Sequence, residues 1–263
     1  MEIGALTIHY YALCILFGIF VAVWVGRVRY KKSGGDPEDI SEAAVWAIPA
    51  GIIGGRIYHV ITSPEKYFGE NGTPSDAFKI WEGGLGIWGA ISLGAVAAYL
   101  YYRTHKTTLP FTYFLDSVAP GVLFAQAIGR VGNWFNVELF GSPSTLPWAL
   151  SVPRFDRPAG YKEFESFHPT FLYELIWCSL LALLIIKMPK WLKIFNNRSG
   201  DLFAIYVFGY TAGRLWIEAL RIDSANLFLG FRLNIWVSLV VLGISVIYLF
   251  KSRGLANKEK AKG

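Results

Sequence analysis

A few polar residues of this chain stand inside or beside apolar runs, where their types and spacing are informative. Arg130 is followed within nine residues by Asn133, Asn136 and Glu138, with Trp134 and Phe135 between them. On a helix, Arg130 and Asn133 share a face. Arg214, Glu218 and Arg221 are spaced i, i+4 and i+7, so one helical stripe carries two guanidinium groups with a carboxylate between them. Tyr210 lies one turn earlier on the same side. Arg56 follows Gly54 and Gly55 within another apolar run, and His168-Pro169 with Tyr173 and Glu174 opens a further one. His9, Tyr10 and Tyr11 stand near the start of the first.

A central arginine in a bilayer costs roughly 2.5 to 3.5 kcal/mol on insertion scales. It is kept where it lines a cavity or grips an anion. The forked guanidinium matches phosphate oxygens bidentately, which suits a phospholipid headgroup. Arg130 and Arg214 are the pair expected to converge on one such anion. The plainer alternative is an ion-pair network that only holds the bundle together, and for His168 a hydrogen bond at a helix start. Gly51 with Gly55, and Gly209 with Gly213, sit four apart and read first as close helix packing.

The elements that must position these residues follow from composition. The chain has 263 residues, 54% hydrophobic and 17% charged, where ordinary soluble domains carry roughly 25% charged residues. A span needs about 20 mostly apolar residues. Seven runs qualify: about Ile8 to Gly26, Ala43 to Ile61, Gly84 to Tyr102, Phe111 to Ile128, Thr170 to Ile186, Leu202 to Leu220 and Ile235 to Phe250. The expected fold is an all-α polytopic membrane protein, a single transmembrane domain over residues 1–263. The N-terminus lacks a basic stretch before its apolar run, so it reads as a retained first span.

Lysine and arginine gather in every second loop: Arg27, Arg29, Lys31 and Lys32, then Arg103 and Lys106, then Lys187, Lys190, Lys193 and Arg198, then the tail from Lys251. This places the N-terminus outside and the C-terminus in the cytoplasm. Ser142 to Phe167 holds Pro143, Pro147, Pro153 and Pro158, too many for a continuous helix, and is expected to form a small irregular head on the outer face. Leu255 to Gly263 is polar and expected to be disordered. The net charge of +6 lies between apolar runs and not on one soluble face, so no nucleic-acid partner is expected. Cys14 and Cys178 read as packed thiols, and no metal or cofactor is expected.

The segment Gly129-Arg130-Val131-Gly132-Asn133-Trp134-Phe135-Asn136-Val137-Glu138-Leu139-Phe140-Gly141 closely resembles the signature of the prolipoprotein diacylglyceryl transferases. Other segments agree in order: His9-Tyr10-Tyr11, Gly54-Gly55-Arg56, Trp81-Glu82-Gly83-Gly84, His168-Pro169 through Glu174, and Gly209-Tyr210 through Arg214, Glu218 and Arg221. The resemblance implies seven spans in a bacterial cell membrane and transfer of the diacylglyceryl group of phosphatidylglycerol to the lipobox cysteine thiol of a preprolipoprotein. A thioether forms and glycerol 1-phosphate leaves, without a cofactor.

By that resemblance Arg130 and Arg214 hold the phosphate, and Glu138 and Glu218 orient those arginines or the glycerol hydroxyls. Asn133 and Asn136 serve as polar anchors, Tyr11 lines the cavity and Gly141 allows the turn. Arg56, His168 and Arg221 complete the expected substrate contacts. One departure concerns the base. Many members carry a histidine shortly after the Gly-Gly of the third span, and here Trp88 stands in its place. His168, Glu218 or water beside an arginine are the remaining candidates for proton acceptor. The rival reading is a carrier or channel for an anionic solute, and a third is a lipid-binding scaffold without chemistry.

Overall fold

The computed structural model describes residues 2–3, 6–7, 10–69, 72–188, 192–195, 198–223, 225 and 227–260. His9 lies outside them. After a short β1 (Glu2–Ile3) and β2 (Leu6–Thr7), the order is α1 (Tyr10–Lys32), α2 (Pro37–Thr62), a single turn α3 (Glu65–Phe68), α4 (Ile87–Thr104) and α5 (Phe111–Phe135). Then come β3 (Leu150–Ser151), β4 (Ser166–Phe167), α6 (Thr170–Lys187), α7 (Asp201–Leu220), β5 (Leu227–Phe228), β6 (Phe231–Arg232) and α8 (Leu233–Lys260).

Every expected span coincides with a long helix. Five of these helices, α1, α2, α5, α6 and α8, are long and apolar enough to cross a membrane. The two others, α4 and α7, fall short of that measure. α4 has 18 residues, several of them Gly, Ala or Tyr, and α7 carries Asp201, Arg214 and Glu218. The long helices expose large apolar side chains such as Leu16, Phe20, Trp24, Val240 and Ile244. Apolar surface on that scale suits lipid, since water-soluble monomers rarely expose large contiguous apolar patches. The chain is an all-α polytopic membrane protein.

α8 runs on to Lys260, so the tail expected to be disordered from Leu255 is helical that far. Leu255, Ala256 and Lys258 are good helix formers and extend the preceding apolar helix without a break.

The chain divides into two compact units, Met1–Gly26 with Leu115–Gly263, and Arg27–Phe114. In the first, Leu123 and Ala127 of α5, Cys178, Leu181 and Ala182 of α6, Ala204 and Ile205 of α7 and Leu249 of α8 form the core. Small residues bring α1 against α5: a Cβ on Gly18 would lie 3.2 Å from the Ala125 backbone, and one on Gly121 2.6 Å from the Ala22 carbonyl. Asp116 caps α7 by accepting from Gly200 N at 2.7 Å and Phe203 N at 2.9 Å. Residues 142–167 form an irregular segment. β3 and β4 pair antiparallel over a small core of Phe140, Val152 and Phe167.

In the second unit α2 opens on Asp36, which accepts from Glu38 N at 3.0 Å, with Pro37 as the first helical residue. α2 and α4 pack through glycines and alanines, and Gly86 N donates to Gly55 O at 2.8 Å. A Cβ on Gly51 would lie 3.3 Å from Ala90 O. Close packing therefore accounts for the Gly51/Gly55 pair.

Candidate active site

The first unit gathers its buried charges at the C-terminal ends of α5 and α7 and the start of α6. Arg130 ends the apolar part of α5. Its Nη2 donates to Glu174 Oε1 at 2.7 Å and its Nη1 to Asn133 Oδ1 at 3.0 Å. Asn133 is buried and donates in turn to Glu138 Oε1 at 2.8 Å, where Asn136 also donates at 3.1 Å. This relay depends on a tight backbone reversal after α5. Val137 and Leu139 adopt positive φ angles of 51° and 57°, a costly conformation for branched and apolar residues. Glu138 N donates to Asn133 O at 3.1 Å and Thr170 Oγ1 to Leu139 O at 2.5 Å, which hold the reversal closed.

Glu174 is the hub. It is 3% exposed, and while Oε1 takes Arg130 and Tyr210 Oη, the latter at 3.3 Å, its Oε2 accepts from Arg214 Nη1 at 3.1 Å. Three helices thus meet on one carboxylate. Arg214 continues the chain of charge, with Nη2 2.5 Å from Glu218 Oε2. Glu218 is fully buried. Its Oε1 accepts from Arg232 Nε at 2.7 Å and Asn234 Nδ2 at 3.1 Å, and Arg221 stands 3.7 Å away. Arg221 and Arg232 both grip Asp223, Arg221 through Nε at 2.7 Å and Nη2 at 2.8 Å, Arg232 through Nη2 at 3.0 Å. Burial alone would raise the Asp223 carboxyl, but these two guanidinium groups outweigh it and hold it below the usual aspartate range.

Arg130, Arg214, Arg221 and Arg232 face three directly paired carboxylates, Glu174, Glu218 and Asp223. The fourth carboxylate, Glu138, reaches Arg130 only through Asn133. The buried Nε of Arg130 has no hydrogen-bond partner among the described residues. An N–H of this kind is costly to leave unmade.

The other expected residues fall as follows. Tyr11 packs its ring on Gly132, where a Cβ would come within 2.5 Å of it, and the side chain lies in electrostatic range of Arg130 and Glu138. Gly141 is needed for space: a Cβ there would stand 2.8 Å from Leu220 O and 2.8 Å from Thr170 Cγ2. Its N–H donates to His168 O at 2.7 Å, and Gly141 bridges Arg221. Gly141 thus ties the segment after α5 to the ends of α6 and α7. His168 meets Tyr173 Oη through Nδ1 at 3.1 Å, and Trp148 Nε1 donates to the same hydroxyl at 3.1 Å. Its partners belong to the base of the head rather than to the arginine cluster.

Arg56 and Trp88 belong to the second unit. Arg56 is 8% exposed and spends its guanidinium on backbone. Nε donates to Ala77 O at 2.8 Å, Nη1 to Gly83 O at 2.5 Å and Gly84 O at 3.1 Å, and Nη2 to Asp76 O. Its first role is to hold the segment between α3 and α4. Trp88 is 41% exposed in the first turn of α4.

Sequence reasoning assigned no role to Glu174, Asp223, Arg232 or Asn234. A carboxylate in an apolar span should have flagged Glu174, given two arginines in need of a counter-charge. Arg232 and Asn234 carry no such signal, because a hairpin of β5 and β6 brings them back onto α7.

The family model described as prolipoprotein diacylglyceryl transferase matches residues 1–251. The chain is 47% identical to phosphatidylglycerol–prolipoprotein diacylglyceryl transferase 2 of Streptomyces coelicolor, over 100% of this chain and 83% of that protein. It is 50% identical to the phosphatidylglycerol–prolipoprotein diacylglyceryl transferase of Bifidobacterium adolescentis, over 94% of this chain and 75% of the relative. The correspondingly named protein of Corynebacterium glutamicum is 48% identical, over 94% and 80%. Matched nearly end to end and at this level of identity, the chain belongs to the prolipoprotein diacylglyceryl transferase family.

Proposed function

We propose that this protein transfers the diacylglyceryl group of phosphatidylglycerol to the lipobox cysteine of preprolipoproteins, the first step of bacterial lipoprotein maturation. The observation that carries the reading is the convergence of Arg130 and Arg214 on the single buried carboxylate of Glu174. Glu174 fills the point between the two forks, so a phosphate would have to approach the guanidinium N–H groups that Glu174 and Glu218 leave over.

In the reaction the cysteine thiolate attacks the glycerol carbon that bears the phosphate. A carbon–sulfur bond forms, the carbon–oxygen bond breaks, and the electron pair leaves on the phosphate oxygen. The thiol proton is released, and the phosphodiester monoanion becomes a phosphomonoester with more negative charge. Donors fixed on that oxygen therefore stabilise the transition state more than the ground state. Arg130 and Arg214 are assigned that role, with Glu174 and Glu218 holding them in place. Asn133, Asn136 and Glu138 set the orientation of Arg130 or meet the glycerol hydroxyls, and Tyr11 lines the same space.

Glu218 Oε1 accepts from Arg232 and Asn234, while its buried Oε2 lies 2.5 Å from Arg214 but has no hydrogen-bond partner among the described residues, so Glu218 stays a candidate for proton acceptor. His168 and water beside an arginine stay as candidates. The basic loops support an N-terminus outside and a C-terminus in the cytoplasm, with the head of residues 142–167 on the outer face. There the membrane lipid and the lipobox segment would meet.

The test is an assay with phosphatidylglycerol and a lipobox peptide, read by mass spectrometry of the peptide. The expected product is a thioether-linked diacylglyceryl peptide that disappears in Arg130→Ala and Arg214→Ala. Full activity in both variants, or uptake of an anionic solute without product, would overturn the reading.

A further inference from the structure

Two buried polar atoms of α5 have no hydrogen-bond partner among the described residues: Nε of Arg130 and Oε1 of Gln126. One is a donor and the other an acceptor. They stand four residues apart on one helix and therefore share a face. A helical side chain leans back over the preceding turn, which carries the Arg130 stem toward Gln126. The Nε–H of a guanidinium lies on the same edge as Nη2, and Nη2 of Arg130 reaches Glu174 on α6. The unpaired N–H thus faces the bundle and not lipid.

Each neighbouring helix repeats this spacing. α6 presents Glu174 and, one turn on, the fully buried Cys178, which lies in electrostatic range of Arg130. α7 presents Tyr210 and, one turn earlier, Tyr206, with their rings stacked at 6.2 Å. Tyr210 Oη donates to Glu174 Oε1 at 3.3 Å, and Gln126 Nε2 donates to Tyr206 Oη at 3.4 Å. Arg130, Glu174 and Tyr210 thus form one polar layer across three helices, and Gln126, Cys178 and Tyr206 a second layer one turn away. The two unpaired atoms are the donor of the first layer and the acceptor of the second.

We propose that Gln126 is a positioning residue for Arg130, its carboxamide joined to the arginine Nε–H through one buried water. The water accepts from Nε–H and donates to Oε1, and the Tyr206 hydroxyl of the same layer is its third partner, as buried waters make about three hydrogen bonds to groups otherwise unsatisfied. Turning the amide over leaves the link intact, because a water accepts from Nε2 as readily as it donates to Oε1. The guanidinium is then held at every nitrogen: Glu174 and Asn133 take the Nη groups, and Gln126 fixes the Nε end. Gln126 acts on the reaction only through Arg130. That role rests on the transferase reading, whereas the hydrogen-bonded link does not.

The test compares the full-length protein with Gln126→Met and Gln126→Glu in detergent. Turnover is read with phosphatidylglycerol and a lipobox peptide, and the arginine Nε–H groups are followed by heteronuclear NMR, with Arg130→Lys identifying the Arg130 signal. In Gln126→Met kcat should fall about tenfold or more, as loss of a hydrogen bond to a charged group implies, with KM little changed. The Arg130 Nε–H signal should shift and exchange faster with solvent. Gln126→Glu keeps an acceptor at the same reach and should recover most of the rate and the slow exchange. An unmoved Nε–H signal in Gln126→Met overturns the proposal, and so does an unchanged kcat. A loss of rate that Gln126→Glu does not restore also overturns it, since Gln126 would then serve packing alone. A parent protein that forms no thioether product counts against the transferase reading instead, and the Nε–H signal then decides the link by itself.

Discussion

Arg232 donates from Nε to Glu218 Oε1 at 2.7 Å, fastening the hairpin after α7 back onto the last turn of that helix. The same arginine meets Asp223 Oδ2 at 3.0 Å and the Asp223 carbonyl at 2.7 Å. One side chain therefore fixes both the loop and the carboxylate that backs Arg214. Truncating one partner of a buried pair leaves the other uncompensated, at a cost of about 3 to 5 kcal/mol. Glu218→Ala should lower the unfolding midpoint far more than Glu218→Gln, which keeps the hydrogen-bond acceptor. Combined with Arg232→Met, the losses should be non-additive by about 0.5 to 3 kcal/mol. Additive losses would show that the two residues are not coupled.

Asp223 gives the fold a pH dependence of known sign. Arg221 and Arg232 depress its pKa in the folded protein, against the upward push of burial. The stabilisation is fully present above the ordinary aspartate pKa and is lost as pH falls through the depressed folded value. The unfolding midpoint should drop as pH is taken down through the carboxylate range, and Asp223→Asn should flatten the part of that drop due to this residue. Identical pH profiles for the two proteins would exclude the assignment.

Gly141 is a steric requirement rather than a flexible point. Its Cβ position is already occupied by Leu220 O and Thr170 Cγ2, each 2.8 Å away. Overpacking of this kind costs about 1 to 3 kcal/mol. Gly141→Ala should therefore lose stability and activity together, since the segment it joins carries Glu138 on one side and Arg221 on the other. A fully active Gly141→Ala with an unchanged midpoint would contradict this account.

The helices were legible because apolar runs of membrane length leave few alternatives, and each expected span matches one of them. Arg130, Asn133, Glu138, Arg214, Glu218 and Arg221 were legible for a related reason: charge inside an apolar run needs a partner. What stayed hidden was which partner. Helical spacing relates Arg214 to Glu218 but says nothing of Arg232, which arrives through a turn at Leu229 and Gly230, both with positive φ. Arg56 shows the converse. Buried in an apolar run, it was expected to serve either an anion or the bundle itself, and its hydrogen bonds go to backbone carbonyls. Two arginines with the same sequence signal thus serve different ends, and only tertiary contacts separate them.

Glu174 offers the sharpest separation of positioning from stability. It neutralises parts of two guanidinium groups at once, accepting at 2.7 Å from Arg130 and 3.1 Å from Arg214. Glu174→Gln preserves shape and one acceptor oxygen but removes the negative charge and places an amide donor beside one of the cations. Both arginines would then be free to shift by a few tenths of an ångström or more, and misplacement on that scale is expensive in catalysis: an error of about 1 Å can cost roughly 100-fold. Turnover of phosphatidylglycerol should fall about 100-fold in Glu174→Gln, mainly in kcat, because the arginines act most strongly on charge that develops in the transition state. Arg130→Lys should show the same pattern, since a lysine cannot hold Asn133 and Glu174 with one planar fork. An effect confined to KM in both variants would mean that the cluster binds the lipid without assisting the step.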